Sequence, residues 1–436
     1  MAEWKHYRLD QLCEFSNGFA FKSTDYVIPS VDTIEVFRMG YIRRGGGFQE
    51  DSTPVFVPRR YGKNLDKYLL REGDIVIAMT DMKNNVAILG NTAQIRHSRR
   101  FVLNQRVGCI RVVRPDVLDP QYLYYYSNWS PHVEYLRSRA NSGVQVNLST
   151  SSIKEAQITV PSLAEQHAIA AILGTLDAKI ELNRRNNETL EAGARAIFKD
   201  WFVDFGPTRA KAEGRVPYLA PEIWTRFPDR LDDDDKPMGW KNGCLGDVAR
   251  NVGESVKPNE MSPDTPYIGL EHMPRHSIAL NSWEGAGKVT SGKLAFHRGD
   301  FLFGKLRPYF HKVGIAPLDG ICSTDILVLG PKTPSIAAFV LSCISTDEFV
   351  AYTDQRSGGT KMPRTSWEVM ARYPLCLPSE QIAQAFQHTV APMLDRIILN
   401  IHEASSLVKT RDLLLPKLMS GEIRIREAEK IVRKVS

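Results

Sequence analysis

The residues best suited to chemistry in this 436-residue chain are basic and amide side chains close to glycine. Arg43 and Arg44 precede Gly45-Gly46-Gly47, and Arg59, Arg60 and Lys63 flank Tyr61. Arg96, Arg99 and Arg100 surround His97, while Gln145 and Asn147 follow Ser142-Gly143. Further along, Lys305, Arg307 and Lys312 bracket Tyr309 and His311, and Lys361 and Arg364 follow Gly358-Gly359-Thr360. Loops that glycine allows to approach closely bring arginine and lysine to phosphate oxygens. Arginine also pairs bidentately with guanine, and the amides of glutamine and asparagine match adenine. As a set these residues predict DNA contact. For any one of them, a solvated surface charge competes with that reading.

Motifs for bond-making chemistry are weak. Gly287 to Lys293 has the glycine spacing of a phosphate-binding loop, but Leu294 stands where the magnesium-binding hydroxyl belongs. His272 and His276 are separated by Met273-Pro274-Arg275, and the proline argues against one helical face presenting both to a metal. The acids from Asp229 to Asp234 are spaced too tightly for a nuclease core and read as linker. The sequence has no G-x-S-x-G elbow, no N-P-P-aromatic motif of an adenine methyltransferase and no G-x-G-x-x-G turn. Cysteines 13, 109, 244, 322, 343 and 376 are scattered singly, which suits free thiols in a reducing cytoplasm. Tyr124-Tyr125-Tyr126 could stack on bases, but their apolar, helical surroundings favour a core position. The chain is expected to bind, with no catalytic residue, no metal ligand and no cofactor of its own.

The elements that position these residues come in two copies. Trp4-Lys5, followed by Leu9 and Leu12, recurs as Trp240-Lys241 with Leu245 and Val248. Arg71-Glu72-Gly73-Asp74-Ile75-Val76-Ile77 recurs as His297-Arg298-Gly299-Asp300-Phe301-Leu302-Phe303, and Ser142-Gly143 as Ser357-Gly358. Val160-Pro161-Ser162, leading to Glu165-Gln166, recurs as Leu377-Pro378-Ser379 leading to Glu380-Gln381. Matches kept in one order at roughly constant offset signify duplication.

Each copy begins β-rich and ends in a long helix. The first helix carries a 4-3 seam through Ile169, Leu173, Leu176, Ile180, Asn183, Asn187, Leu190, Ala194, Ile197 and Trp201. The second repeats it through Val390, Leu394, Ile397, Ile401, Ala404, Val408, Arg411, Leu415 and Leu418. That spacing predicts an antiparallel coiled coil, with the asparagines fixing register; a helix packed on its own domain is the alternative. Pro392 marks a kink or a later start of the second helix. The expected fold class is α+β, two duplicated β-rich domains separated by two long helices. The boundaries are 1–160, helix 161–205, linker 206–237, 238–378, helix 379–425 and charged tail 426–436. Trp224 and Phe227 should order part of the linker, and Asp232 to Asp235 should form a solvated loop. The net charge of +6 and pI near 8.9 agree mildly with a nucleic-acid partner. No apolar run approaches the ~20 residues needed to span a bilayer, so no membrane is expected and a cytoplasmic location is.

Taken together, the chain resembles the specificity (S) subunits of type I restriction–modification enzymes. The resemblance rests on Asn17-Gly18-Phe19-Ala20-Phe21-Lys22-Ser23, on Pro161 to Ile169 with Leu176-Asp177-Ala178-Lys179-Ile180, and on Phe198 to Pro207 continuing through Arg209 to Gly214. Leu415-Pro416-Lys417-Leu418 through Gly421-Glu422-Ile423 fits as well. The resemblance implies that each β-rich half is a target-recognition domain for one part of a split site in double-stranded DNA. The helices would act as a ruler and dock two modification subunits, which carry S-adenosylmethionine and methylate adenine. Restriction/translocase subunits using ATP and magnesium would join them. Three rivals remain: a coiled-coil assembly protein that reads no sequence, an enzyme with a catalytic site formed by dispersed residues, and a specificity subunit serving a methyltransferase without a restriction partner.

Overall fold

The computed structural model describes residues 4–49, 53–61, 65–82, 86–96, 100–141, 145–359 and 361–434. It divides into two compact units, Met1–Ala178 with Leu407–Ser436, and Lys179–Ser406. Among the described residues no single helix is long and apolar enough to cross a membrane.

In the first unit, Lys5–Arg8 pairs antiparallel with Gln157–Val160. A four-stranded sheet orders Cys13–Asn17, Val107–Val112, Ile75–Ala78 and Thr92–Gln94. A three-stranded sheet orders Phe56–Pro58, Thr33–Phe37 and Phe101–Leu103, the last two parallel. The second unit repeats the plan. Lys241–Cys244 pairs with Pro374–Leu377, and a four-stranded sheet orders Ala249–Asn251, Ile326–Pro331, Phe301–Gly304 and Val313–Ile315. Its five-stranded sheet again contains a parallel pair, Pro266–Ile268 with Gly320–Cys322. Each unit then adds two short helices, Pro120–Ser127 and Ser130–Ser138 in the first, Ala337–Ile344 and Asp347–Gln355 in the second.

The repeated Gly-Asp turn has a physical cause. Gly73 and Gly299 take φ of 87° and 93°, the left-handed region that glycine enters without steric cost. The aspartate that follows closes the turn: Asp74 Oδ2 accepts from Arg71 N at 2.8 Å, and Asp300 Oδ2 from His297 N at 2.7 Å. Each turn launches a wholly buried strand, Ile75–Ala78 or Phe301–Gly304. Asp74 is itself buried, where Arg111 grips it through Nε and Nη2 at 2.7 and 2.6 Å.

The first long helix spans Leu163–Phe198 and the second Glu380–Met419. Gln166 anchors the start of the first: its amide donates to Val117 and Pro161 carbonyls, each at 2.9 Å, and accepts from Asp119 N at 2.8 Å. The second helix starts upstream of Pro392 and continues through it. Pro392 and His388, whose carbonyl loses its amide partner, both lie on the exposed side.

The helices run antiparallel. In the second unit Asn183 Nδ2 donates to Glu403 Oε2 and Asn400 Nδ2 to Asn187 Oδ1, both at 2.8 Å. In the first, Arg411 Nη1 donates to Asp177 Oδ1 at 3.0 Å, and Tyr125 Oη to Asp177 Oδ2 at 2.7 Å. Ile169, Leu173, Leu176, Ala194, Trp201, Leu394, Ile397 and Ile401 are buried, and Ile180 is half-buried. The seam departs from strict 4-3 spacing at four expected positions. Leu190 and Ile197 are half-buried while Glu191 and Phe198 are buried in their place, and Val408 and Leu415 yield to Leu407 and Leu414. An α-helix turns every 3.6 residues and drifts ~20° per heptad from a 3.5 repeat, which moves the buried line of the first helix forward by one residue. In the second helix the shift runs backward, and drift does not account for it.

The linker is more ordered than expected, with helices at Gly206–Ala212 and Pro221–Trp224 and a buried Phe227. Its acidic run is tied down by the Arg209–Asp235 and Lys236–Asp234 pairs. Before it, a π-turn at Lys199–Val203 buries Trp201 and Phe202. A Cβ at Gly206 would lie 2.0 Å from Asp200 Oδ1, the acceptor of the Tyr218 hydroxyl, so only glycine fits there. The expected charged tail contains a helix, Ile425–Arg433, and the second long helix ends at Met419 rather than 425. Glu427 accepts from Arg424 N at that short helix's start, a local cap that favours helix over open chain.

Candidate nucleic-acid interface

Both units build the same edge from the same elements. In the first, the buried strand Ile75–Ala78 continues through Met79 into Thr80–Met82, which pairs antiparallel with Gln145–Asn147. Leu148 N donates to Met79 O at 2.8 Å. In the second, Phe301–Gly304 continues into Lys305, Leu306 and Arg307. There Thr365 N donates to Lys305 O at 3.0 Å and Arg307 N to Pro363 O at 2.7 Å. Asn147 and Arg364 therefore hold equivalent places, each just before the residue that closes the pairing. The duplication places polar side chains at matching edges, an amide in one unit and a guanidinium in the other.

At the first edge, the Asn147 amide turns back to Gln145 O at 3.1 Å, and both residues are half-buried. Asp81 holds the approach of the chain by accepting from Ile88 N at 2.8 Å. At the second edge, Lys361 is exposed and Arg364 pairs with Asp325 at 3.3 Å while keeping over half its side-chain surface. Lys305 is half-buried. Arg307 adopts φ of 51° and its guanidinium lies 6.0 Å from the Phe310 ring. Lys312 turns inward to donate to the Leu270 carbonyl. Burial, with Arg275 nearby, pushes its pKa down against the pull of Glu271. An ammonium held this way is poorly placed for phosphate, and Lys312 reads as a brace for the strand.

The remaining arginines of the first unit lie on other surfaces. Arg43 donates to Phe48 O at 3.1 Å and closes its own glycine loop, leaving Arg44 exposed. Gly45, Gly46 and Gly47 all have positive φ. A Cβ at Gly46 would meet the Asn128 side chain at 2.3 Å, so that loop lies flat on its domain. Arg59 donates to Thr33 O at 3.3 Å, and with Arg100 and Glu35 it lines an open pocket of about 380 Å³. Arg60 is exposed, and Lys63 lies outside the described residues.

Sequence reasoning missed a second pocket of about 470 Å³, lined by Phe21, Arg38, Met39, Asn104, Gln105 and Arg106. It adjoins the first edge, since Met79 N donates to Arg106 O at 3.1 Å and Thr80 Oγ1 to Met39 Sδ at 3.1 Å. The available signal was three successive polar residues, Asn104-Gln105-Arg106, joining the two apolar strands Phe101–Leu103 and Val107–Val112. Their amides and guanidinium match the donor and acceptor patterns of base edges.

Comparison with known proteins bears on the family and the fold. Residues 1–192 match the family described as type I restriction modification DNA specificity domain. The chain is 27% identical over 337 residues to the type I restriction enzyme MjaIX specificity subunit of Methanocaldococcus jannaschii, covering 74% of each. It is 24% identical over 388 residues to the HindI specificity subunit of Haemophilus influenzae, covering 72% of this chain and 80% of that one. The crystal structure of a type I restriction–modification S subunit from M. genitalium shares the fold, with a TM-score of 0.54 at 16% identity over 96% of both chains.

Proposed function

We propose that this chain, whose residues 1–192 match the type I restriction modification DNA specificity domain, belongs to that family and reads a bipartite DNA site for a larger complex. Each unit contacts one part of the site through its polar edge, the first with Gln145, Asn147 and the Arg38–Arg106 pocket, the second with Lys305, Lys361 and Arg364. The observation that carries this reading is the duplicated edge, which gives one chain two similar reading surfaces with different side chains.

The long helices supply spacing and a docking surface. The 36 residues of the first helix span about 54 Å, more than one DNA turn of about 34 Å. Two modification subunits dock along them and bring S-adenosylmethionine; restriction/translocase subunits bring ATP and magnesium. This chain supplies recognition alone.

Adenine methylation mapped across the genome by single-molecule sequencing, with and without the gene, tests the proposal. Loss of methylation at one motif of two blocks separated by unspecified bases supports it. An unchanged methylome in cells that express the whole complex refutes it.

A further inference from the structure

We propose that His276, His311 and Asp347 form a binding site for one divalent transition-metal cation of the zinc type. One ligand atom from each residue lies within 4.8 Å of the other two. His311 is only 4% exposed, and its Nε2 lies 3.0 Å from the Ser345 carbonyl oxygen. A carbonyl can only accept, so Nε2 carries the ring proton and Nδ1 carries a lone pair. That Nδ1 lies 3.0 Å from Asp347 Oδ1, a second acceptor. Two lone pairs facing each other at this distance repel unless a proton or a cation lies between them.

His276 completes the set. Its Nδ1 is 3.8 Å from the same carboxylate oxygen, and the two imidazole centroids are 4.4 Å apart. Bonds of about 2.0–2.2 Å from one ion reach two imidazole nitrogens and one carboxylate oxygen at such separations. The carbonyl on the far nitrogen of His311 supplies the outer hydrogen bond that orients a ligating histidine. His276 and Asp347 are both exposed, leaving the fourth position to water.

The backbone fixes this juxtaposition before any ion arrives. His276 N donates to His311 O at 3.0 Å, and both histidines adopt left-handed φ, 55° and 49°. Single residues in that region persist where their surroundings over-determine them. His311 ends the turn Pro308–Phe310 that Arg307 opens, so a bound ion would pin a recognition loop. That consequence, unlike the site itself, rests on the DNA-reading proposal.

The test uses the purified full chain, stripped of metal by a chelator. Zinc is titrated in competition with a chromophoric chelator, and cobalt(II) serves as a spectroscopic probe. The wild type should bind one equivalent and show cobalt d–d bands without thiolate charge transfer. His276→Gln and Asp347→Asn, both at exposed positions, should each weaken binding by at least about tenfold. Circular dichroism confirms that the variants are folded. No zinc binding by the wild type, affinity unchanged in both variants, or a thiolate band would overturn the site. DNA is absent from the assay, so its failure leaves the DNA-reading proposal standing.

Discussion

Replacing Asn187 or Asn400 with leucine should destabilise the helix pair far more singly than together. Asn400 Nδ2 donates to Asn187 Oδ1 at 2.8 Å, and the two residues are 1% and 6% exposed respectively. Among the described residues Asn400 Oδ1 already has no hydrogen-bond partner. Asn187→Leu then strands the rest of the Asn400 amide in a buried seam, which costs about 1–3 kcal/mol. Asn400→Leu leaves the Asn187 carbonyl oxygen without its donor, at a similar cost. The double variant removes both polar groups and substitutes side chains of comparable size, so it should lie near the wild type in stability. With the double variant near the wild type, the coupling energy from the cycle equals the sum of the two single losses, at least about 2 kcal/mol. Urea unfolding of the full chain, followed by helical circular dichroism, measures it. Additive single effects would refute the reasoning, because they would mean that the two amides do not depend on each other. The double variant should also lose register specificity, since a buried polar pair penalises slipped pairings and leucine does not.

Further expectations concern acid stability, DNA contact and spacing. Burial pushes the His132 pKa from 6.5 down to about 4, so its contribution is complete above pH 6.5 and is lost as pH falls towards 4. At pH 5 the loss amounts to about 2 kcal/mol. His132→Phe should therefore melt with less sensitivity between pH 7 and 5 than the wild type; an equal drop in Tm would contradict the assignment. Lys361→Ala, assayed in the assembled complex, should reduce the slope of log affinity against log salt by about one. An unaltered slope would remove Lys361 from the DNA interface. Deleting residues 180–186 together with the facing 401–407 removes about 10 Å of paired helix, and should shorten the spacer by up to about three base pairs. Methylome sequencing reads this directly, and an unchanged spacer would dispose of the ruler.

What could be read from the residues alone depended on how local the cause was. The duplication was legible because Gly73-Asp74 and Gly299-Asp300 encode a turn within four residues. The two long helices were legible because their apolar periodicity persists over many turns. The burial of Glu191 was not, because it depends on the Ser277 hydroxyl and the Ile278 amide, which donate to its carboxylate at 2.8 and 3.0 Å from far along the chain. In sequence Lys312 reads as a DNA-contacting cation for the same reason: its partner, the carbonyl of Leu270, is distant in sequence. The helix at Ile425–Arg433 was hidden by its charge, although Ile425, Ala428 and Ile431 recur at helical spacing. His272 and His276 were weighed as neighbours in sequence, whereas the partner of His276 is His311.

The first unit is assembled from both ends of the chain. Trp4 lies against Gly421, whose φ of 74° only glycine adopts readily, and Leu407–Ser436 belong to the same compact body as Met1–Ala178. A ribosome delivers Leu407–Ser436 only after the whole of the second unit. The second unit is contiguous and can close while translation proceeds, whereas the first pairs its strands early but is completed only by Leu407–Ser436. During that interval Asp177 lacks Arg411, and Trp4 lacks the turn at Gly421. A premature stop before Leu407 would thus damage the half of the molecule that was made first.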